Sequence, residues 1–300
     1  MEIITSDQEL TNAGFYWREV DGVRALICAP LEQDGFVNGF STRIGGVSDM
    51  PADALSLAGF NDDKAENILE NRRRFLKLFP GDWALAGCWQ VHGADIRVVS
   101  SAAEAKPAEN ERGDTIYCDS IVSSTTGVLA GVKTADCVPL LFGDPKTGAF
   151  AAVHAGWRGT LAGIGPITVD RLRAEFNAKP EDLRIAIGAS AGPCCYEVGT
   201  DVIEAFTNKF SAGDKLFTPT REGHALVDLL KSNRDQLTAA GVRTDRIHTA
   251  PLCTMCRTDL FFSYRREKSV NGKVGRLMAV VGRALGISDF KSKISKSGSV

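Results

Sequence analysis

The sequence predicts an α+β fold, a single-domain α/β sandwich of mixed sheets. Short β-rich apolar segments and helical segments follow one another with no composition break, internal repeat or linker between them. A length of 300 residues allows one large domain or two ordinary ones, so the missing boundary favours one. Hydrophobic residues make up 44% and charged residues 24%, as in a globular protein. We predict one catalytic domain over residues 1–287 and a flexible Ser/Lys-rich tail over 288–300.

Buried strands are predicted where runs of apolar, β-branched and aromatic residues are bounded by turn residues. The predicted strands cover residues 23–29, 36–42, 96–99, 127–132, 138–142, 149–154 and 184–188. The polar segment 101–114 is predicted to be an exposed loop.

Helices are predicted over residues 64–79, 160–176, 199–210 and 225–240. The first is expected to begin with a capping box, because Asp63 is followed three residues later by Glu66. Pro80 and Gly81 should end that helix, and Gly241 should end the last one.

Charge and hydropathy exclude several classes of partner. The 35 Lys and Arg residues against 37 Asp and Glu give a formal charge of −2, which argues against nucleic-acid binding. No apolar run approaches the ~18 residues of a membrane span, and the first residues lack the basic and apolar regions of a secretory signal. We therefore expect a cytoplasmic protein with no membrane partner, whose eight cysteines are not paired in disulfides.

Three potential metal ligands lie beside small residues at predicted strand ends. His92 stands in QVHG, Cys137 in ADCVP and His154 in HAGWRG. Two imidazoles and one thiolate form a three-ligand zinc set whose fourth position holds water or substrate. Their wide separation matches no local zinc motif, so packing in the core is an equally good interpretation of the pattern alone. Of the other histidines, His224 is predicted to lie in a loop and His248 to be structural.

Cys253 and Cys256 form a CxxC motif. A structural zinc site would need a second pair, and the adjacent Cys194 and Cys195 are poorly spaced to supply one. We therefore predict that the CxxC motif lines the active site or simply packs.

Six motifs in order make the sequence recognisable: NGFSTR (38–43), QVHG (90–93), ADCVPLLF (135–142), HAGWRG (154–159), GPCCYEVG (192–199) and CTMCRTDLFFSYRR (253–266). Over about residues 20–285 the chain resembles the YfiH-type family. Its members were once labelled multicopper polyphenol oxidases or laccases and are now described as purine nucleoside phosphorylases. The chain departs from the family at residues 188–193, which read GASAGP where a GPAIGP-like stretch is usual.

The resemblance implies a fold, a metal and an activity. The family fold is a single α+β sandwich shared distantly with cysteine-dependent toxin deamidases. His92, Cys137 and His154 fall on the family's metal-binding triad, usually described as zinc and catalytic. The implied activities are phosphorolysis of adenosine, inosine and methylthioadenosine, and deamination of adenosine. Nucleosides and phosphate are thus the expected small-molecule partners.

Other residues near these motifs suit that chemistry. Deamination needs a carboxylate to move a proton, and Asp136 and Asp119 are the candidates. Phosphorolysis needs a bound phosphate, which guanidinium groups hold in a fork. Arg43, Arg158 and Arg265 are the candidates for this role. Trp89, Trp157 and Tyr196 are the aromatic residues placed to border a purine.

Two alternatives differ in their metal chemistry. Four histidines without a His-X-His pair cannot build the centres of a multicopper oxidase. A single blue-copper site would need an axial ligand such as Met255 or Met278, so copper is expected only as an adventitious metal. The second alternative is a metal-free hydrolase of cell-wall amino sugars or peptides, with Cys137 as nucleophile and His154 as base. The sequence does not decide the oligomeric state.

Overall fold

Two mixed β-sheets form the centre of the molecule. The computed structural model describes residues 6–50, 53–59, 62–106 and 116–284. Its strands are β1 (Phe15–Val20), β2 (Val23–Cys28), β3 (Phe36–Ser41), β4 (Ile44–Ser48), β5 (Ala84–Ala86), β6 (Ile96–Val99), β7 (Ser120–Ser123), β8 (Val128–Thr134), β9 (Val138–Gly143), β10 (Phe150–Ala155), β11 (Arg184–Ile187), β12 (Glu197–Gly199), β13 (Phe217–Pro219), β14 (His224–Val227), β15 (Ile247–Thr249) and β16 (Leu277–Arg283). Its α-helices are α1 (Asp7–Asn12), α2 (Ala29–Gln33), α3 (Ala65–Leu76), α4 (Trp157–Ala162), α5 (Ile164–Phe176), α6 (Thr200–Lys209), α7 (Leu229–Ala239) and α8 (Tyr264–Asn271).

Within the described residues, each central sheet has six strands. The first has the order β1-β2-β3-β16-β8-β5, and the second has the order β15-β11-β9-β10-β7-β6. Neighbouring strands are antiparallel except for β5 with β8, β6 with β7, and β11 with β15. A small antiparallel sheet, β12-β14-β13, lies outside them. This architecture confirms the predicted α/β sandwich of mixed sheets.

The core is divided into layers by the alternation of side chains along the strands. In β10, Phe150 and Ala152 pack in the cluster shared by the two sheets. Ala151 and Val153 point to the opposite face, where they pack with residues of α5 and α7. A third cluster joins the outer face of the first sheet to Phe75 of α3. Helices therefore cover both outer faces of the sheet pair.

Most predicted strands are confirmed within one or two residues, as is the helix over 199–210, which is α6. The predicted helix over 160–176 is two helices, because Gly163 between α4 and α5 takes a left-handed φ of 86°. The helix predicted over 64–79 is α3, which ends at Leu76. Most of the loop predicted over 101–114 and the whole tail over 288–300 lie outside the described residues.

The cap of one helix and the start of another were predicted wrongly. The capping box is absent, because Lys64 is the N-cap of α3 and the carboxylate of Asp63 accepts from the backbone N–H of Lys64 instead. The first residues of the segment 225–240 form β14, in which Ala225 and Val227 are buried in alternation. Asp228 then caps α7 by accepting a hydrogen bond from the backbone N–H of Lys231.

None of the helices formed by the described residues has the length and apolar character that a membrane crossing requires.

Candidate metal centre and adjoining cavity

Three loops and strand ends bring His92, Cys137 and His154 together. His92 lies between β5 and β6, and Cys137 lies in the turn by which the chain passes from the first sheet to the second. His154 stands near the end of β10, opposite Pro139 of β9, and therefore beside that turn. The potential ligand atoms of the three residues all lie within 4.8 Å of one another. This spacing suits a shared metal ion.

Asp119 organises two of these residues at once. Its fully buried carboxylate accepts hydrogen bonds from His154 Nδ1 at 2.7 Å and from the backbone N–H of His92 at 3.0 Å. It also accepts from the N–H groups of Val91 and Gly93, at 3.1 and 2.7 Å. These bonds hold His92 in a left-handed conformation with a φ of 61°. Because Nδ1 of His154 is occupied, Nε2 is the ring nitrogen left to bind a metal.

The backbone of Gly156 lies close to two of the potential ligands and forms one wall of the centre. A Cβ atom added to Gly156 would lie 3.0 Å from Cys137 Sγ and 3.0 Å from Cδ2 of His92. A side chain at this position would therefore displace two of the three potential ligands. The next residues, Trp157 and Arg158, begin α4 and carry the chain from the centre to an adjoining cavity.

Electrostatics favour ionisation of the thiol. Burial raises the pKa of Cys137, but its interactions with His154 and His92 outweigh burial and lower that pKa to about 6. Burial alone would lower the pKa of His154, but the Cys137 thiolate and the Asp119 carboxylate raise it to about 9. A thiolate is the form of cysteine that binds metals, and metal binding would displace the imidazole proton.

Asp136 adjoins the centre in sequence but turns its carboxylate toward a different segment. It accepts hydrogen bonds from Thr254 Oγ1 at 2.6 Å, Ser263 Oγ at 3.0 Å and the backbone N–H of Arg265 at 2.7 Å. Asp136 also has a left-handed φ of 83°. These contacts fix the turn that carries Cys137, and the predicted proton transfer by Asp136 stays a prediction.

The contacts of Arg43 argue against its predicted role in binding phosphate. Its guanidinium donates to the carbonyl oxygens of Thr258 and Phe261 at 2.7 and 3.2 Å, and it forms an ion pair with Glu267 at 3.0 Å. The group also lies 4.5 Å from the centroid of the Phe262 ring. Arg43 is only 9% exposed, and its contacts with the described residues join the β3–β4 turn to the segment before α8.

The other two predicted arginines line one cavity of about 340 Å³. The guanidinium of Arg158 lies 4.1 Å from the centroid of the Trp157 ring, and that of Arg265 lies 5.0 Å from the centroid of Tyr196. Among the described residues neither guanidinium has an ion-pair partner, whereas Arg221 on the same wall is paired with Glu197. Arg265 Nη1 donates to the carbonyl oxygen of Glu197 at 2.7 Å, so both arginines bring a positive charge to the cavity that no carboxylate of the described residues neutralises.

Tyr196 links this cavity to the metal centre. Burial raises the pKa of its hydroxyl, and the neighbouring Cys137 raises it further, while Arg265 acts in the opposite direction. Trp157, the second predicted aromatic residue, lines the same cavity. Trp89 is 40% exposed and forms an isolated β-bridge with Tyr117.

The two remaining histidines do not join the centre. His224 lies on the cavity wall, and its Nδ1 is 2.9 Å from the carbonyl oxygen of Glu222. His248 lies 3.2 Å from the guanidinium of Arg184.

A second group of potential metal ligands consists of four cysteines. The sulfur atoms of four cysteines lie within 4.8 Å of one another: Cys194, Cys195, Cys253 and Cys256. The prediction that Cys194 and Cys195 are too poorly spaced to supply the second pair of a metal site is therefore wrong. It relied on spacing along the chain, whereas the two pairs meet because their loops lie side by side.

Comparison with known proteins identifies the family. A model of the family described as multi-copper polyphenol oxidoreductase laccase matches residues 37–284. The chain is 36% identical over 262 residues to a Geobacillus stearothermophilus protein named purine nucleoside phosphorylase YlmD, covering 86% of this chain and 94% of that one. It is 35% identical to the Escherichia coli protein named purine nucleoside phosphorylase YfiH over 76% of this chain and 88% of that one.

A solved structure agrees with this similarity. The crystal structure of YlmD from Geobacillus stearothermophilus superimposes with a TM-score of 0.81 at 34% sequence identity, covering 90% of this chain and 99% of that one. The extent of these matches confirms the resemblance found in the motifs. This chain belongs to the YfiH-type family, whose family model bears the laccase description.

Proposed function

We propose that the protein is a zinc-dependent purine nucleoside phosphorylase for adenosine, inosine and methylthioadenosine that also deaminates adenosine. The observation that carries this proposal is the His92, Cys137 and His154 group, whose ligand atoms lie within 4.8 Å of one another. Beside it lies a cavity lined by two arginines that form no ion pair with any of the described residues. The relatives named purine nucleoside phosphorylase support the same kind of enzyme.

The donor set fits a zinc ion, which would be held by His92, Cys137 and His154. When bound there, zinc would supply Lewis-acid catalysis at a position open to substrate. Asp119 fixes the tautomer of His154 through Nδ1 and holds the loop of His92 in place. Gly156 keeps the space between Cys137 and His92 free of a side chain.

Phosphorolysis requires a phosphate oxygen to attack the ribose carbon as the bond to the purine breaks, giving a free base and ribose 1-phosphate. The attacking anion must be held in position, and positioning of this kind lowers the barrier by several kcal/mol. Arg158 and Arg265 are suited to hold phosphate, since each already packs against an aromatic ring and neither is neutralised by a carboxylate among the described residues. The rings of Trp157 and Tyr196 would border the nucleoside.

The donor set favours zinc over the copper centres of the family description. A multicopper oxidase needs several imidazole-rich centres, whereas the described residues bring only two histidines to a shared site. Met278, one of the axial ligands considered for a blue-copper site, packs against Gly131 in the first sheet.

The direct test of the two activities is chromatography of adenosine incubated with the enzyme, with and without phosphate. Phosphorolysis gives adenine only when phosphate is present, and deamination gives inosine in both reactions. Conversion to neither product by zinc-loaded enzyme would exclude the proposal.

Arg158→Ala should raise the KM for phosphate by about 10- to 150-fold, because a hydrogen bond to a charged group contributes ~1.5–3 kcal/mol. Adenosine deamination should stay within about twofold of wild type, because water and not phosphate is its second substrate. Initial rates at varied phosphate measure the effect. Arg171→Ala, which removes an exposed arginine paired with Glu175 on α5, is the control. Equal losses of both activities would assign Arg158 to purine positioning or to the fold.

A second candidate function is supported by the chain of contacts from Cys137 through His154 to Asp119. A thiolate, an imidazole and a carboxylate in this order also form the catalytic group of cysteine hydrolases. Such an enzyme would work without metal, and its thiolate would react with iodoacetamide once the pH exceeds about 6. Full hydrolytic activity after metal removal, abolished by labelling of Cys137, would favour this candidate. Loss of activity on chelation, with recovery on zinc addition, would exclude it.

A further inference from the structure

Four cysteines form a compact cluster outside the proposed catalytic centre. Cys256 Sγ lies 3.5 Å from Cys194 Sγ and 3.3 Å from Cys195 Sγ, and all four sulfur atoms lie within 4.8 Å. In tetrahedral zinc coordination, a zinc–sulfur distance of ~2.3 Å places the sulfur atoms about 3.8 Å apart. The two short distances and the 4.8 Å limit are therefore close to the separations that four sulfur ligands of one zinc ion require.

Two contacts of the cluster suit thiolate ligands, although burial raises the pKa values of the Cys194 and Cys256 thiols. The backbone N–H of Gly192 donates to Cys253 Sγ at 3.2 Å, and Nη2 of Arg266 lies 3.9 Å from Cys195 Sγ. Four thiolates around a divalent ion carry a net charge of about −2, which an N–H donor and a guanidinium both stabilise. Both contacts are therefore compatible with thiolates bound to a metal ion.

The cluster joins two loops that frame the cavity. Residues of the first loop precede β12, and Ser190 of this loop forms a β-bridge with Cys253 of the second. The backbone N–H of Thr254 donates to the carbonyl oxygen of Ser190 at 2.9 Å. The first loop leads directly into Tyr196 on the cavity wall, and the second leads toward Arg265. A metal ion in the cluster would therefore fix the relative positions of these two cavity residues.

We propose that Cys194, Cys195, Cys253 and Cys256 bind a structural zinc ion that is separate from the one proposed at His92, Cys137 and His154. The ion is fully coordinated by sulfur, as in structural zinc sites, and leaves no position for substrate. It holds the two loops together and so positions Tyr196 and Arg265. This site stands independently of the proposed function, because it shares no ligand with the catalytic centre.

Metal analysis of the purified protein distinguishes the two sites. We expect about two zinc ions per chain in wild type and about one in Cys253→Ser/Cys256→Ser. Cys28→Ala, which changes a buried cysteine in β2 outside both groups, should keep the wild-type content. If wild type holds about one zinc ion per chain and the double variant holds none, the cysteine site is supported and zinc at the catalytic centre is refuted. An unchanged zinc content in the double variant would overturn the proposal.

A second measurement does not depend on the folding of the double variant. In Cys137→Ala, whose catalytic centre lacks its thiolate, replacement of zinc by cobalt should give the intense near-ultraviolet thiolate-to-cobalt absorption of a four-sulfur site. Mass spectrometry without reductant should show all cysteines as thiols after the metal is removed under nitrogen. The absence of the thiolate–cobalt band, or disulfides within the cluster of freshly purified protein, would overturn the proposal.

Discussion

Cys137→Ala is expected to remove about one zinc ion per chain and to lower kcat/KM for both adenosine and inosine by at least about 100-fold. A metal ion acting as a Lewis acid supplies several kcal/mol of transition-state stabilisation, and each ~1.4 kcal/mol corresponds to a factor of ten in rate. The alanine side chain cannot bind zinc, and two imidazoles alone hold it weakly. Metal analysis and steady-state kinetics on the same preparation measure both losses.

Cys28→Ala is the matched control, because Cys28 is also a free cysteine but is buried in β2, outside the centre. It should keep zinc and activity even if its thermal stability falls. Circular dichroism should show that Cys137→Ala retains the fold, since Cys137 lies in a turn and not in the core clusters. A zinc content equal to that of wild type in Cys137→Ala would contradict the ligand assignment.

Asp119→Asn is expected to weaken zinc binding by about 10- to 100-fold, the usual effect of losing a partner that orients a metal ligand. Asp119 has two acceptor oxygens that serve His154 Nδ1 and three successive backbone N–H groups. Asparagine keeps one acceptor oxygen and places an NH2 group against the backbone N–H donors, so the loop of His92 loses hydrogen bonds that hold it in place. Competition with a zinc chelator measures the affinity, and excess zinc should restore part of the activity.

Asp144→Asn is the control for a merely structural effect. Asp144 is equally buried and accepts turn hydrogen bonds from Lys146 and Thr147, but it stands at the opposite end of β9 from Cys137. Its replacement should lower stability by ~1–3 kcal/mol and leave zinc affinity unchanged. Equal zinc affinities for Asp119→Asn and wild type would show that Asp119 does not support the centre.

The layered fold and most strands could be predicted because their signals are local. A run of apolar residues bounded by turn residues marks a fully buried strand such as β10, and a helix start depends on a few neighbouring residues. The failures at Asp63 and in the segment 225–240 are also local. At Asp63 a hydrogen bond to the neighbouring backbone N–H replaced the expected capping box. In the segment 225–240 a short strand replaced the start of the expected helix.

The candidate site could be predicted only in part, because its chemistry depends on contacts between distant segments. The motif match located His92, Cys137 and His154. Nothing in the sequence indicates that Asp119 accepts hydrogen bonds from both the His92 loop and His154, or that Glu267 neutralises Arg43. The cysteine pairs 194–195 and 253–256 likewise meet only because the parallel strands β11 and β15 start the two loops side by side.

Inosine gives the most direct test of the central claim, that this chain is a phosphorylase. Inosine lacks the 6-amino group, so deamination cannot contribute, and base release can occur only by phosphorolysis or hydrolysis. Product analysis with phosphate, with arsenate and with neither anion separates these reactions. We expect hypoxanthine and ribose 1-phosphate with phosphate, hypoxanthine and free ribose with arsenate, and no base release with neither. Hypoxanthine formed at an undiminished rate without either anion would mean simple hydrolysis and would contradict the phosphorylase assignment.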